Sequence, residues 1–573
     1  MSKEPRAEGS LSGARIVQTP RPSAWRLYRL PLLSAVLLAL TFYPWCYERL
    51  IWLAFAPLLV WLGDPSVTHR QATKGLVVVG SLYLFSLLAP LFSIGWWGWG
   101  ATTGQGLRAY FSHQRVFMAV LLGGISVFCG GFWMAVGGRL VRPYLARPFA
   151  GLWIVPSSSV LAEYLGHRIV FGFQWGVIGN RLHDHEVLRQ VASVTGVYGL
   201  SFLVLMVNTL VASWIIHINF AKQNLSTREQ PGQFPARPSL IAATLVVGAL
   251  VITSLAYGRS ALRRVEHDGA PLRVALLQGA KPSYAPDDFT PDGLDPLYPS
   301  LMEQALIQRP DLLVLPETVW WRTLQADGTS NAWGKRPISP AQLQEELASR
   351  LRGTPTLVVL GIDSVMGGKI YNTTTFWTAD GLAWLYRKRR LVPFSEYRPA
   401  VLGRFAPQNR FHGAQFAYAR GSGSQLVRLG RLVIGTFICQ EVLVPELARS
   451  SVRDGAQLLV TTGNDGVFSS PIVALEQANI AKLRAVENGR YLLRCMKSGV
   501  SAIMDPCGRV LAHGPINQQM LVTGTVYPVA KLTWYTRFGD WIVWLSAVVL
   551  LGSLLVRLAA AVRRGRRAVS NSA

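Results

Sequence analysis

Acidic residues are scarce in this chain: 31 Asp and Glu stand against 57 Lys and Arg, for a formal net charge of +26. Charge of either sign is thin, at 15% of 573 residues, while half of the residues are hydrophobic. A membrane class follows from that balance. The excess of basic residues is no sign of a nucleic-acid partner, because much of it lies beside apolar segments and no nucleic-acid motif accompanies it. Cysteine is also sparse. The five (Cys46, Cys129, Cys439, Cys495, Cys507) have no paired spacing that would suggest a disulfide or zinc framework. Cys46 and Cys129 lie in apolar segments and read as small packed hydrophobes. Cys495 and Cys507 read as buried residues of a sheet, with a bridge between them as the alternative. The nine histidines show no ligand spacing, so no metal is expected. His183-Asp184-His185 reads as part of a solvated polar loop. No internal repeat or long low-complexity segment is present.

What the chain has in abundance is long apolar runs. They fall at Leu32–Tyr43, Ile51–Leu62, Leu76–Ile94, Val116–Leu140, Ala150–Leu165, Val191–Ile216, Ser239–Tyr257 and Trp541–Ala561. A spanning helix needs about 20 mostly apolar residues, so the first two runs are short and a broken or re-entrant pair is the alternative there. The fifth contains Pro156 and Ser157-Ser158-Ser159. With the N-terminus inside, the inner loops carry Arg70, Lys74, Arg139, Arg142, Arg147, Lys222 and Arg237. The outer loops show fewer cations, among them Arg49, Arg168, Arg181 and Arg189. This bias predicts about eight spans with both termini in the cytoplasm. The tryptophans Trp96, Trp97 and Trp99 suit an outer interfacial belt. The expected division is a basic cytoplasmic tail (1–29), a membrane domain of about seven helices (30–258), a linker (259–270), an extracytoplasmic domain (271–535), a last transmembrane helix (536–562) and a basic tail (563–573). The basic N-terminal tail runs directly into the first span, which is expected to stay as an anchor.

The extracytoplasmic segment has a different texture. Val274–Leu277, Leu312–Leu315, Leu357–Leu360, Leu432–Ile438 and Leu458–Thr461 look like buried strands, and Ser339–Leu351 and Glu476–Glu487 have helical spacing. Alternating strand and helix on this scale predicts one α/β domain. Three side chains stand at or just beyond strand-like runs: Glu317 after Leu312–Pro316, Lys388 at the head of Lys388-Arg389-Arg390-Leu391-Val392-Pro393-Phe394, and Cys439 after Gly435–Ile438. A carboxylate that takes a thiol proton, and an amine that stabilises an oxyanion, are the parts of an acyl-transfer site.

These motifs resemble the nitrilase (carbon–nitrogen hydrolase) superfamily, and within it the match is closest to the apolipoprotein N-acyltransferase family. The carrying stretches are Val274–Gly279, Leu315-Pro316-Glu317-Thr318, Tyr371-Asn372-Thr373, Tyr386-Arg387-Lys388, Leu391-Val392-Pro393-Phe394-Ser395-Glu396, Cys439-Gln440-Glu441, Asn464-Asp465 and Arg484–Arg490. In the membrane part, Ala162-Glu163-Tyr164-Leu165 and Gly172-Phe173-Gln174-Trp175 match too. The chain departs from the family pattern at Gln440, at Gly466-Val467-Phe468 and at Ala280. The resemblance implies a polytopic α-helical membrane domain joined to an α-β-β-α sandwich with a Glu-Lys-Cys triad of Glu317, Lys388 and Cys439. It also implies that Glu396 orients Lys388, that Glu441 supports the loop after Cys439, and that Lys388 depresses the thiol pKa. The implied activity moves an acyl chain from a phospholipid through a thioester to the α-amine of a diacylglyceryl-cysteine on an apolipoprotein. It would do so as a monomer in the bacterial inner membrane, with no cofactor and no metal. A membrane-anchored amidase and a non-catalytic lipid- or lipoprotein-binding protein are the competing readings.

Overall fold

The computed structural model describes residues 24–41, 47–88, 120–169, 175–227, 237–264, 269–280, 289–290, 293–325, 335–351, 353–393, 395–397, 410–411, 414–415, 417–423, 426–467 and 471–570. Cys46, the Trp96, Trp97 and Trp99 group, Gly172-Phe173-Gln174, Phe394, Phe468 and most of the basic N-terminal tail lie outside them.

Among the described residues, five helices are long and apolar enough to cross a membrane: His69–Leu88, Val120–Tyr144, Leu188–Asn219, Arg237–Arg263 and Trp541–Arg566. Pro148–Ile169 stays helical through Pro156. The first apolar run forms Ala24–Leu40. The second folds as a 3-10 turn, Glu48–Trp52, and a short helix, Ala56–Gly63. At 1.5 Å per residue that helix is about 12 Å long, too short to cross a hydrocarbon core of about 30 Å. Its free amides are met by side chains of neighbouring helices, as an apolar surrounding requires. Asn208 Oδ1 accepts from Phe55 N (2.9 Å) and Ala56 N (3.1 Å), and Ser34 Oγ accepts from Leu58 N (2.9 Å). The helix Arg237–Arg263 runs past 258 into the stretch read as a linker.

Strands follow: β1 (Leu272–Gln278), β2 (Leu312–Val314), β3 (Arg322–Leu324), β4 (Arg336–Ile338), β5 (Leu357–Met366), β6 (Lys369–Thr378), β7 (Gly381–Arg387), β8 (Arg410–Phe411), β9 (Ala414–Gln415), β10 (Leu426–Leu429), β11 (Leu432–Ile438), β12 (Leu458–Gly463), β13 (Leu492–Met496), β14 (Ala502–Met504), β15 (Val510–His513) and β16 (Met520–Val526). One sheet is ordered β16-β1-β2-β5-β3-β4, with β6 and β7 continuing from β5. A second is β10-β11-β12-β13-β14-β15, and β8 and β9 pair only with each other. Apolar residues fill the space between them: Val274, Leu276, Val314 and Phe376 of the first meet Ile434, Val460, Leu493 and Cys495 of the second. Helices Tyr298–Ile307 and Pro340–Leu351 cover the outer face of the first sheet. Pro445–Arg453 and Pro471–Asn488 cover that of the second. This is the α-β-β-α sandwich, with four layers because each sheet is apolar on both faces.

The sandwich is bolted to the membrane helices through buried polar contacts. Arg181 reaches Glu476 with both terminal nitrogens (2.8 and 2.6 Å), the two side chains being 2% and 4% exposed. Val197 N donates to Glu487 Oε1 (3.0 Å), while between the spanning helices Trp541 Nε1 donates to Val194 O (2.9 Å). Gly196, at φ 66°, breaks the helix Ala192–Thr227 where Tyr535 packs; a Cβ there would sit 2.5 Å from the ring. His183 corrects the solvated-loop reading. It is 1% exposed, with Nε2 2.8 Å from Glu48 and Nδ1 3.0 Å from Asp184, and Asp184 also meets Lys482 (2.6 Å). Burial opposes charge on that imidazole, but hydrogen bonds to Asp184 and Glu48 outweigh it and raise its pKa. The Glu48, His183 and Asp184 ligand atoms lie within 4.8 Å of one another, but Lys482 already supplies a cation there.

Candidate active site

Strands β2, β7 and β11 all end at one edge of the sandwich, because β2 runs parallel to β5, β7 returns to that direction through β6, and β11 heads a parallel run with β12 and β13. Side chains that leave these ends meet there. Thr374 of β6 and Thr462 of β12 join hydroxyls at 2.8 Å across the two sheets, and Cys495 Sγ donates to Val314 O at 3.2 Å. Cys495 and Cys507 are both free and buried, so the bridge between them does not form.

Cys439 opens the 3-10 turn Cys439–Leu443 directly after β11 and holds φ at +54°, a left-handed conformation that costs a non-glycine residue about 1–2 kcal/mol. Glycine is required opposite: a Cβ on Gly463 would come within 3.0 Å of the Cys439 Cα. Glu441 stabilises the turn. Its Oε2 accepts from Ile438 N and Tyr386 Oη (2.8 Å each), and its Oε1 from Arg389 N and Arg390 N (2.8 Å each). One carboxylate thus ties the loop after β7 to the turn that carries the thiol.

Lys388 is 1% exposed and gives its ammonium to Glu396 Oε1 at 2.6 Å. Glu396 Oε2 accepts from Val392 N at 2.8 Å, which closes the loop into a clamp. The Lys388 amide donates to Asn372 O (2.8 Å), and Asn372 Nδ2 reaches both Glu396 Oε1 (3.4 Å) and Glu317 Oε1. Glu317 precedes Thr318, which is held at φ +58°, and a Cβ on Gly361 would come within 2.6 Å of the Glu317 Cα. All three predicted triad residues therefore converge, with Glu396 and Glu441 around them.

The electrostatics depart from expectation at one point. Burial raises the Cys439 thiol to about 12, and the opposing pull of Lys388 does not reverse it. Lys388 does pull the thiol down as expected, but desolvation is larger, so the net shift is upward and the resting sulfur is protonated. Burial also works against charge on Lys388, but Glu396, Cys439 and Glu317 overcome it and push its pKa up. Glu317 rises to about 7 by burial, beyond what Lys388 withdraws. A carboxylate near neutrality beside a fixed ammonium and a neutral thiol can move a proton in both directions.

Other buried groups here had no sequence signal. Lys497, fully buried, donates to Thr318 O (2.5 Å), pairs with Asp295 (3.2 Å) and lies 4.8 Å from the Phe289 ring centre. Lys335 pairs with Asp363 (2.5 Å), which also accepts from Tyr418 Oη (2.8 Å). Only tertiary contacts recruit them. Asp465 of the Asn-Asp motif is held by Arg494 at 2.6 Å. Gln440 is buried, and the Val467 side chain lies outside the described residues. Arg389 stacks on Tyr386 at 5.8 Å, while Arg390 is exposed.

An apolar cavity of about 220 Å³ opens among the membrane helices, lined by Leu84, Leu87, Cys129, Trp133 and Trp175. Leu87 and Trp175 share one apolar cluster with Phe437, Val442 and Leu443, the residues flanking Cys439.

Two family models match this chain: Carbon-nitrogen hydrolase over residues 273–529 and Apolipoprotein N-acyltransferase N-terminal domain over residues 34–210. The chain is 28% identical to the apolipoprotein N-acyltransferase of Geobacter metallireducens, over 91% of this chain and 93% of that one. It is likewise 28% identical to that of Methylococcus capsulatus, over 89% and 92%. Among solved structures, a Saccharomyces cerevisiae member of branch 10 of the nitrilase superfamily aligns over 45% of this chain and 90% of its own, at 21% identity and a TM-score of 0.33. Both family models stand in the order expected from the sequence, and relatives named apolipoprotein N-acyltransferase align along nearly the whole length of the chain.

Proposed function

We propose that this chain transfers an acyl group from a phospholipid to the α-amine of the diacylglyceryl-cysteine of an apolipoprotein, with Cys439 as nucleophile. Glu317 takes the thiol proton as sulfur attacks the ester carbonyl, and the Lys388 ammonium stabilises the oxyanion. The carbonyl–oxygen bond breaks, Glu317 returns the proton to the departing lysophospholipid, and a thioester remains. The lipoprotein amine then attacks, its proton passes to Glu317, and the amide forms as the sulfur leaves and is reprotonated. Glu396 positions Lys388, and Glu441 holds the turn.

The observation that carries the reading is the convergence of a buried thiol, a buried ammonium and a carboxylate with pKa about 7 in a domain docked on apolar helices. A resting thiol suits a thioester enzyme, because ionisation is called up only when a carbonyl arrives. Burial supports it as well, since water at the site would hydrolyse the intermediate. The loop charges support an inner-membrane protein whose domain at 271–535 lies on the periplasmic side, between spans at 30–258 and 536–562.

Intact-mass measurement on purified protein with a defined phospholipid tests this. Wild type should gain one acyl group that a diacylated lipopeptide then discharges, and Cys439→Ala should gain none. A wild type that never acquires the adduct, or a Cys439→Ala protein that still does, overturns the reading.

A further inference from the structure

A second pocket, of about 460 Å³, lies far from the thiol. Its walls come from the end of the spanning helix Arg237–Arg263, the turn at Pro506-Cys507 and the segment from Val529 to Arg537 that leads into the last helix. Strand register fixes its place in the sandwich. Leu492, the first residue of β13, pairs with Met504, just ahead of Cys507, and Val529 N donates to Gln457 O, just ahead of β12. The pocket therefore sits at the edge where β12 and β13 begin, whereas Cys439 sits where β11 ends.

Its height relative to the bilayer is equally defined. Arg264 directly follows one spanning helix and Arg537 directly precedes another that starts at Trp541, so both mark the same membrane–water interface. Trp534 and Phe538 are 63% and 57% exposed with rings 5.0 Å apart, as aromatic residues at such an interface are. Three cations, Arg264, Lys531 and Arg537, line the pocket and are exposed. Among the described residues neither the Arg264 nor the Arg537 guanidinium has an ion pair. Asp505, the carboxylate beside this wall, is already held by Arg509 at 2.6 Å. Ser193 Oγ, which donates to Gln190 O (2.7 Å), and Tyr257 Oη, 2.7 Å from it, add polar groups on the same wall. Cations are few on this side of the membrane by the loop-charge rule, so a cluster at headgroup level calls for a local anion.

We propose that this pocket binds the phosphate headgroup of an anionic membrane phospholipid, at a site separate from the catalytic thiol. The three cations attract the phosphate by charge, the aromatic pair anchors at the headgroup–acyl boundary, and the tails run down beside the spanning helices. The site requires only that the chain is embedded in a bilayer, so it stands apart from the acyl-transfer reading.

Native mass spectrometry of the full chain, titrated with phosphatidylglycerol, phosphatidylcholine or inorganic phosphate, tests the site. Wild type should retain phosphatidylglycerol about tenfold more tightly than phosphatidylcholine, and Arg264→Gln/Lys531→Gln/Arg537→Gln should lose that preference. The charge-conserving Arg264→Lys/Arg537→Lys protein, which guards against a folding artefact, should keep it to within about threefold, because the site acts through charge. Equal retention of the two lipids by wild type, an unchanged preference in the glutamine variant, or its loss in the lysine variant overturns the proposal. Displacement of phosphatidylglycerol by inorganic phosphate would also overturn it, by making this a free-anion site. Acyl-adduct formation on Cys439, read from the same samples, fails or succeeds independently.

Discussion

The ammonium of Lys388 lies 2.6 Å from Glu396 Oε1, and both side chains are withdrawn from water. Such a pair does little for stability while intact, but removing one partner strands a buried charge. Glu396→Ala should therefore lower the unfolding free energy by about 3 kcal/mol and slow acyl-adduct formation by about 100-fold or more. Chemical denaturation and rapid-quench intact mass measure the two effects.

Glu317 makes the first half-reaction pH-dependent. Its carboxyl is raised to about 7, and only the ionised form accepts the thiol proton. Adduct formation should rise about tenfold per pH unit below 7 and level off above it. A folded-state pKa above the unfolded one means that the folded protein holds this proton more tightly, so its contribution to stability falls as pH rises from about 4.5 through about 7. Glu317→Gln should consequently abolish the adduct without lowering the melting temperature at pH 8.

Glu441 accepts four hydrogen bonds, three of them from backbone amides of two separate loops. Glu441→Gln removes the charge and one acceptor oxygen. Stability should fall by about 1–3 kcal/mol, with a larger relative loss in adduct formation because the Cys439 turn relaxes. Stopped-flow adduct kinetics beside thermal unfolding separate the two.

Arg181 and Glu476 join the domains as a buried bidentate pair. Arg181→Ala should cost about 3–5 kcal/mol, while Arg181→Met with Glu476→Leu should recover most of that loss. Unfolding in a fixed detergent checks this double-mutant comparison.

Gly196 is at φ 66° against the Tyr535 ring. Gly196→Ala meets both the left-handed penalty and a ring clash, so a loss above about 2 kcal/mol is expected, read as a lowered melting temperature.

Some elements are plain in the sequence because their cause is local. Leu432–Ile438 is the strand that its β-branched apolar run predicts, and Pro340–Leu351 begins at the expected proline behind Ser339, whose Oγ accepts from Gln342 N. The β6–β7 extension and the return of β16 to pair with β1 are not visible that way, because they depend on partners far along the chain. His183 looks solvated for the same reason: Glu48, which meets its Nε2, is remote in sequence, while its neighbours Asp184 and His185 are indeed exposed.

The sequence by itself determined that apolar helices carry an α/β insert, and that a carboxylate, an amine and a thiol stand at strand ends. Those are matters of composition, period and motif, each settled within a few residues. Tertiary structure alone decided the state of the thiol. Desolvation by the two sheets and the docked helices outweighs the nearby ammonium and leaves Cys439 protonated at rest. It also decided where Arg264, Lys531 and Arg537 collect, because two helix ends distant in sequence meet only in the folded chain.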